Sequence, residues 1–349
     1  MTSLRSLLNQ VDYDFYLPVV DPALDMTDPG LDYFYTLSPA QFGLSVSNSG
    51  LLLSHPKVIN YLQTNSANNH HQVAIVPFKS SAKIEYLCRQ YHWFYLAPPA
   101  SLCRQLENKI EFPKICLPHH LPLIPSAVDK LNPKNFKKYQ KQYGPKLIIQ
   151  SGFGWAGKST FSCRNYSQIP SKFPSGSLVK FMPYLPGQTY TNNCCLSSFG
   201  LIQSPPANQL TGQAGYTANP FATVGRSWPC TSSASVQQQI RSISHRFGQI
   251  LQSFNFRGYF GLDFHASGQQ VYLLECNPRL TASFAFYHRF ELNSDYSPLF
   301  FLHLASFLPL NYSLNYQFEL GRLSCRFTGS QITPRDSQGQ ITTKIETYG

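Results

Sequence analysis

The sequence predicts a mixed α/β fold, and three observations carry that reading. Compact apolar runs at residues 15–20 and 72–77, each bounded by turn residues, read as buried strands of an α/β layer. Residues 82–92 and 236–254 repeat their apolar positions at three- and four-residue steps, as amphipathic helices do. Residues 256–280 read as strand, short polar turn and strand, with Asp263 and Glu275 set among apolar and aromatic neighbours. A carboxylate inside a buried strand is costly unless a cation or hydrogen bonds compensate it. Two of them on paired strands, followed by Asn277 and Arg279, point to a divalent metal on hard oxygen ligands beside a phosphate-binding cation.

The 349 residues suffice for two or three domains and an extensive core. Only 13% are charged, against about a quarter in ordinary domains. Ser, Gln, Asn and Thr supply the polarity instead. The net charge of +11 suits an anionic partner. No RNA-recognition motif, zinc finger or Arg-rich tract accompanies it, so a basic nucleotide site is favoured over nucleic acid. The nine cysteines form no C-x-x-C pair and no metal-ligand spacing, and read as buried small hydrophobes in a reducing compartment. The first 15 residues lack an apolar signal core, and no run of 18 apolar residues occurs. A soluble, cytoplasmic protein is expected.

In chain order, the strands at 15–20 and 72–77 precede a helix over 82–92, whose Ile84, Leu87, Cys88 and Tyr91 share one face. A strand at 93–96 ends at Ala97-Pro98-Pro99-Ala100. Turns or loops are expected at 28–30 and 47–50. Ser101 reads as the N-cap of a helix running through Leu102, Leu106 and Ile110, with Lys109 on it. Residues 116–125 are Pro-rich and extended. Residues 130–146 carry six lysines around Tyr139 and Tyr143, and a solvated helix is favoured over a nucleic-acid patch.

The strand 147–150 leads into a glycine-rich stretch, 151–161. Gly152, then Gly157-Lys158-Ser159, formally matches a P-loop. Against it, Thr160 to Arg164 continues as strand rather than helix, and the Asp263/Glu275 hairpin would have no role. Residues 178–187 form a strand ending in a Pro-Gly turn, with Lys180 on it, and 189–202 suit a hairpin. Residues 205–227 read as a long polar loop covering an acceptor substrate, with Arg226 as an anion contact. His245, on the 236–254 helix, reads as surface. Beyond Arg279, the run 281–283 shapes the site and His288 and Arg289 lie within reach. Residues 297–308 form an apolar helix, and 331–349 an extra strand pair or a disordered tail.

Asp263, followed twelve residues later by Glu275-Cys276-Asn277-Pro278-Arg279, resembles the metal-binding hairpin of the ATP-grasp superfamily, as does Gly258-Tyr259-Phe260-Gly261. The resemblance is to carboxylate–amine ligases and biotin-carboxylase-like proteins more than to kinases. A biotin carboxylase proper is not expected, since its longer C-terminal region and Gly-rich lid have no counterpart. The resemblance covers 105–285 by motif and the first hundred residues by layout. It implies an α/β pre-ATP-grasp domain over 1–104 and an ATP-grasp domain over 105–349, with a small nucleotide lobe at 120–186 and a large lobe at 187–349.

It further implies Asp263, Glu275 and Asn277 as ligands of Mg2+, or of Mn2+ in its place. Arg279 and Lys158 become the catalytic cations. Lys109, Gln150, Lys158, Ser159, Thr160, Lys180, Met182 and Leu185 become nucleotide contacts. Two positions depart from the family: Gln150 replaces a frequent Lys, with Lys146 or Lys158 as the compensating charge, and Met182 stands near the usual hinge carboxylate. The implied chemistry is ATP-dependent activation of a carboxylate as an acyl phosphate for attack by an amine. The implied partners are ATP, a small-molecule or peptide carboxylate and an amine, with a homodimer allowed and no nucleic acid or membrane. The competing readings are a non-catalytic nucleotide binder of the same fold and a P-loop NTPase.

Overall fold

The computed structural model describes residues 3–21, 29–154 and 157–333. Asp28 of the 28–30 turn, Trp155 and Ala156 of the glycine-rich stretch, and 334–349 of the tail lie outside the described residues. Three sheets organise the described residues.

The first follows helix α1 (Leu4–Leu8) and contains β1 (Tyr13–Pro18), β2 (Phe34–Leu37), β3 (Gln72–Ile75) and β4 (Phe94–Tyr95). All pairs are parallel, in the order β2-β1-β3-β4. Helices α2 (Ser49–Leu53), α3 (Pro56–Asn69) and α4 (Ala82–Gln90) accompany these strands. The apolar runs become strands because both of their faces are covered, as parallel sheets require. Asn48, expected in a turn, instead caps α2 through its side chain.

Helix α5 (Ala100–Glu107) starts after Pro99, so Ser101 lies within it rather than capping it. It ends before Lys109, which sits in a turn leading to α6 (Phe112–Cys116). Asn108 breaks the helix: its side chain accepts the Ile110 amide, and such local bonding competes with helix continuation.

The second sheet is antiparallel and holds β5 (Ala127–Lys130), β6 (Leu147–Gln150), β7 (Thr160–Cys163) and β8 (Leu178–Pro183), in the order β5-β8-β6-β7. Helix α7 (Pro133–Tyr143) lays Phe136 and Tyr139 on Leu147, Ile149, Val179 and Phe181. Its Lys134, Lys137, Lys138 and Lys141 stay exposed, as a solvated helix face predicts. Strand alternation turns Ile148, Gln150, Lys180 and Met182 to the other side of the sheet.

The third sheet has β9 (Gln188–Ser197), β10 (Gly200–Gln203), β11 (Ala207–Thr211), β12 (Thr223–Trp228), β13 (Gly258–Ser267), β14 (Gln270–Asn277) and β15 (Gly329–Ile332). Its path is β14-β13-β9-β11-β12-β15, with β10 also on β9. The stretch 205–227, expected as one loop, begins and ends in β11 and β12, and only 212–222 between them is turn and loop. Gln209, Thr211, Thr223 and Arg226 of these strands face a polar cleft, so the apolar alternation that signals a strand is missing. Helix α8 (Ala234–Ser253) buries Ile240, Ile243, Phe247 and Leu251 against Phe260, Leu262 and Phe264. Asp263 and His265 therefore point to the opposite face.

Helices α9 (Phe284–Leu292), α10 (Leu299–Ala305) and α11 (Tyr316–Leu320) close the chain's core. One apolar cluster joins Phe284, Phe300 and Leu304 to Phe15, Leu17 and Ala74 of the first sheet. Within it lies a buried ionic group. Arg322 donates to Glu291 at 2.6 Å, pairs with Glu319, and reaches the Ser297 carbonyl at 2.6 Å. The nine cysteines are unpaired, seven of them buried. No described helix is long and apolar enough to cross a membrane.

Candidate active site

A cleft of about 840 Å³ is walled by the second and third sheets and reaches the loops of the first. On its wall Asp263 of β13 stands directly opposite Glu275 of β14. The register slips between Asp263 and Phe264, so that Leu273 pairs with Phe264 and Leu274 is the extra residue. This bulge lets Leu274 and Glu275, adjacent in sequence, both line the cleft. Asn277 donates to Asp263 at 3.3 Å and accepts from Arg279 at 2.8 Å. Two carboxylates with an amide oxygen beside them suit Mg2+, which takes one or two carboxylates and fills its octahedron from water and phosphate. Among the described residues no group of three His, Cys, Asp or Glu side chains converges on a metal position, which accords with such a sparse donor set.

Lys109 ties this hairpin to the glycine-rich stretch. Its ammonium pairs with Glu275 and donates to the Gly154 carbonyl at 3.3 Å, while its backbone N–H reaches Gly152 at 2.8 Å. Burial and the neighbouring Glu275 carboxylate push the Asp263 pKa up to about 6, against the pull of Arg226 and Thr191. Burial also raises Glu275, but the Lys109 ammonium outweighs it and holds that carboxyl below its usual range.

Gln150, Ser159, Thr160, Met182 and Leu185 all line the cleft, as do Asp263, Glu275, Asn277, Arg279 and Lys109. Ile148, Met182, Leu185 and Leu274 form an apolar slot beside them. Lys158 is exposed and does not line the cleft. Lys180 lies buried behind the wall, pulled down to about 8 by burial and by Lys109. It pairs in register with Gln150 across β6 and β8. Lys146, one of the two charges expected to compensate Gln150, instead lies over the Tyr184 ring, 3.4 Å from its centroid. The stretch after β6 returns antiparallel as β7, with no helix at Ser159, which rules out the P-loop geometry. Gly157, at φ +73, lies so close to Phe221 that a Cβ would stand 2.4 Å from its carbonyl. His288 is buried against the Pro29 carbonyl, away from the cleft.

Several cleft residues were not anticipated. His265 lies two residues beyond Asp263 on the same face, a position that the period of two would have indicated. Burial holds its pKa below the usual range. Thr189 and Thr211, hydrogen-bonded at 2.9 Å, add hydroxyls to the wall. Glu107 meets Lys79 and Arg279 only through the fold, and no sequence spacing announces these pairs.

The family model of the ATP-grasp domain matches residues 103–283. Among solved structures, a biotin carboxylase of Campylobacter jejuni in complex with β,γ-ATP superposes with a TM-score of 0.63 at 13% identity, covering 93% of this chain and 76% of that one. A carboxyaminoimidazole ribonucleotide synthase of Aspergillus clavatus complexed with ATP gives 0.63 at 12%, covering 93% and 82%. An N5-carboxyaminoimidazole synthetase of Staphylococcus aureus complexed with ADP gives 0.59 at 14%, covering 86% and 78%. At such identities the likeness is one of fold. A search of curated proteins by sequence finds no match.

Proposed function

Because the chain belongs to the ATP-grasp domain family, we propose that it is an ATP- and Mg2+-dependent ligase that activates a carboxylate and joins it to an amine. The observation that carries the reading is the directly opposed Asp263–Glu275 pair, with Asn277 and Arg279 beside it, on the wall of a cleft with an apolar slot. In this reading residues 1–104 are the pre-ATP-grasp domain and 105–349 the ATP-grasp domain. A cytoplasmic protein is expected, and a homodimer is compatible.

Ile148, Met182, Leu185 and Leu274 take the adenine, and the backbone of 182–185 reads its edge. Ser159, Thr160 and nearby backbone N–H groups cover the phosphates. Asp263, Glu275 and Asn277 hold Mg2+, which when bound neutralises charge on the β- and γ-phosphate oxygens. Lys109 offers its ammonium to a phosphate oxygen once Glu275 is otherwise engaged. Lys180, paired with Gln150, supplies from the neighbouring strand the charge that Gln150 lacks. Lys158 is exposed on the loop and is left with the role of a general loop cation.

A carboxylate oxygen attacks the γ-phosphorus, the bond to the β-phosphate oxygen breaks, and ADP leaves. Arg279 balances the charge of the resulting acyl phosphate. An amine nitrogen then attacks the acyl carbon, inorganic phosphate departs and the amine loses a proton. A second reading, nucleotide binding without turnover, draws on Gln150 and on Met182 near the hinge. Phosphate release from Mg-ATP decides between them, measured against small carboxylates and amino acids. Release that depends on an added carboxylate and is lost in Glu275→Gln supports the ligase. Tight ADP binding with no release from any mixture selects the second reading.

A further inference from the structure

The positive charge of the chain is concentrated in one stretch. Between Asp129 and Asp263 the sequence holds 14 Lys and Arg, half of the chain's 28, and no acidic residue. On and just after helix α8 these cations are spent within the protein. Arg241 donates to the Leu323 carbonyl at 2.7 Å, Arg246 donates to the His119 carbonyl at 2.7 Å, and Arg257 lies over the Phe307 ring. Helix α7 differs. Its Lys134, Lys137, Lys138 and Lys141 are all exposed, and among the described residues the one carboxylate paired with them is Asp129, 3.5 Å from Lys138. The exposed Arg164 adjoins this row, since its carbonyl accepts from Gln140 of the same helix at 2.6 Å.

Neither helix stability nor the cleft accounts for the row. Lys134 with Lys138, and Lys137 with Lys141, are like charges four residues apart, an arrangement that weakens a helix. Lys134 also stands in the first turn, where the helix dipole disfavours a cation. Helix α7 packs on the face of the second sheet that carries Leu147, Ile149, Val179 and Phe181, while Ile148, Gln150 and Met182 line the cleft from the opposite face. A helix about 10–12 Å across, and the sheet itself, therefore separate these ammonium groups from a nucleotide. That separation exceeds the Debye length of about 8 Å at physiological salt, so the row contributes little to nucleotide binding.

We propose that this face of α7 binds the phosphate backbone of duplex nucleic acid without sequence preference. The proposal is independent of the ligase reading. Lys134, Lys138 and Lys141 share one side of the helix over about 10 Å, a length along which a duplex presents about six phosphate charges. Lysine is a point charge suited to phosphate, and phosphate contacts position a protein without carrying sequence information. Phe136 and Tyr139 are buried and Tyr143 stacks on Tyr139. No aromatic of α7 is left to stack on an unpaired base, which selects a duplex over a single strand. The helix exposes no Leu, Ile, Val, Met, Phe or Trp. It therefore lacks both the anchor of a protein interface and the apolar side of a membrane-bound helix.

The test is fluorescence anisotropy of two labelled DNA duplexes of about 20 bp and unrelated sequence, titrated with the full chain from about 50 to about 200 mM salt. Both should bind equally, and affinity should fall at least about a hundredfold across that range, as four or so released counterions require. Lys134→Gln, Lys137→Gln, Lys138→Gln and Lys141→Gln combined should lower low-salt affinity at least about tenfold and remove most of the salt dependence. Arg at the same four positions should retain both. The Gln variant loses like-charge repulsion and should unfold no earlier than wild type, which separates lost binding from lost fold. Gln at Lys57, Lys83, Arg89 and Lys114, exposed cations elsewhere, removes the same charge and should leave affinity within about twofold. The proposal is overturned if neither duplex binds at low salt, or if the two sets of Gln variants lose affinity alike. Tighter binding of poly-L-glutamate through the same lysines would assign the face to an acidic protein, and tighter binding of phosphatidylserine vesicles to a membrane. Either result also overturns it.

Discussion

Glu291, Glu319 and Arg322 form one charged cluster, and Asp263, Glu275, Lys109 and Arg279 form another, with opposite accounting of their bonds. In the first, Arg322 binds both carboxylates and the Ser297 carbonyl, while Glu291 accepts the Leu299 amide at 3.1 Å and Glu319 the Ser297 amide at 3.0 Å. All three side chains are at most 3% exposed. In the second, the Glu275 side chain is 25% exposed, and both carboxylates line a cleft wide enough for ligands. Acidic and basic side chains thus serve as a closed structural knot where the chain completes their bonds, and as a binding site where one side stays open.

The largest expected effect breaks the closed cluster. Arg322→Met leaves two buried carboxylates without their cation and should cost about 3–5 kcal/mol of stability, read by denaturant unfolding. A loss below about 1 kcal/mol would show that this cluster is as open as the cleft. Next, the closed region should be acid-sensitive at His303, whose pKa burial lowers to about 4. Its Nδ1 accepts the Tyr259 amide at 3.0 Å, and its Nε2 lies 3.0 Å from the Leu96 carbonyl. The unfolded chain binds this proton near the ordinary histidine value and the folded chain does not. Stability should therefore fall as pH drops from about 6.5 towards 4, by up to about 3 kcal/mol, and His303→Gln should flatten that slope.

The remaining two effects sharpen the open side. Lys180→Met should weaken ADP binding about tenfold while leaving adenosine unaffected, in titrations with both ligands. Gln150→Lys in the same chain should restore the affinity, because the two positions are paired in register. Equal losses for adenosine and ADP would remove Lys180 from the phosphate site. Glu275→Gln should cost less stability than Arg322→Met, since the Glu275 side chain is 25% exposed on the cleft wall and the glutamine keeps an acceptor for Lys109. A loss comparable to that of Arg322→Met would erase the contrast between the clusters.

Much of the site was legible because its signals are local. Asp263, Glu275, Asn277 and Arg279 lie on one hairpin, and a strand's period of two places such residues together without reference to the rest of the chain. Strand β6 and helix α8 were legible for the same reason, each carrying a strong apolar pattern. Strands β11 and β12 were missed because a strand facing a polar cleft loses its alternation. Lys109 lines the cleft, but from a turn and not from the expected helix: periodicity carried α5 past Asn108, whose side chain ends it.

By itself the sequence determined which groups are available for chemistry and which segments form strongly patterned strands and helices, since covalent spacing and periodicity settle both. Only the tertiary structure decided which charges meet. Glu107 reaches Arg279 across 172 positions of chain and Lys79 from another sheet, and Lys180 faces Gln150 only because β8 lies beside β6. Contacts between distant segments are chosen by the burial of the whole core, and local pattern carries no record of that choice.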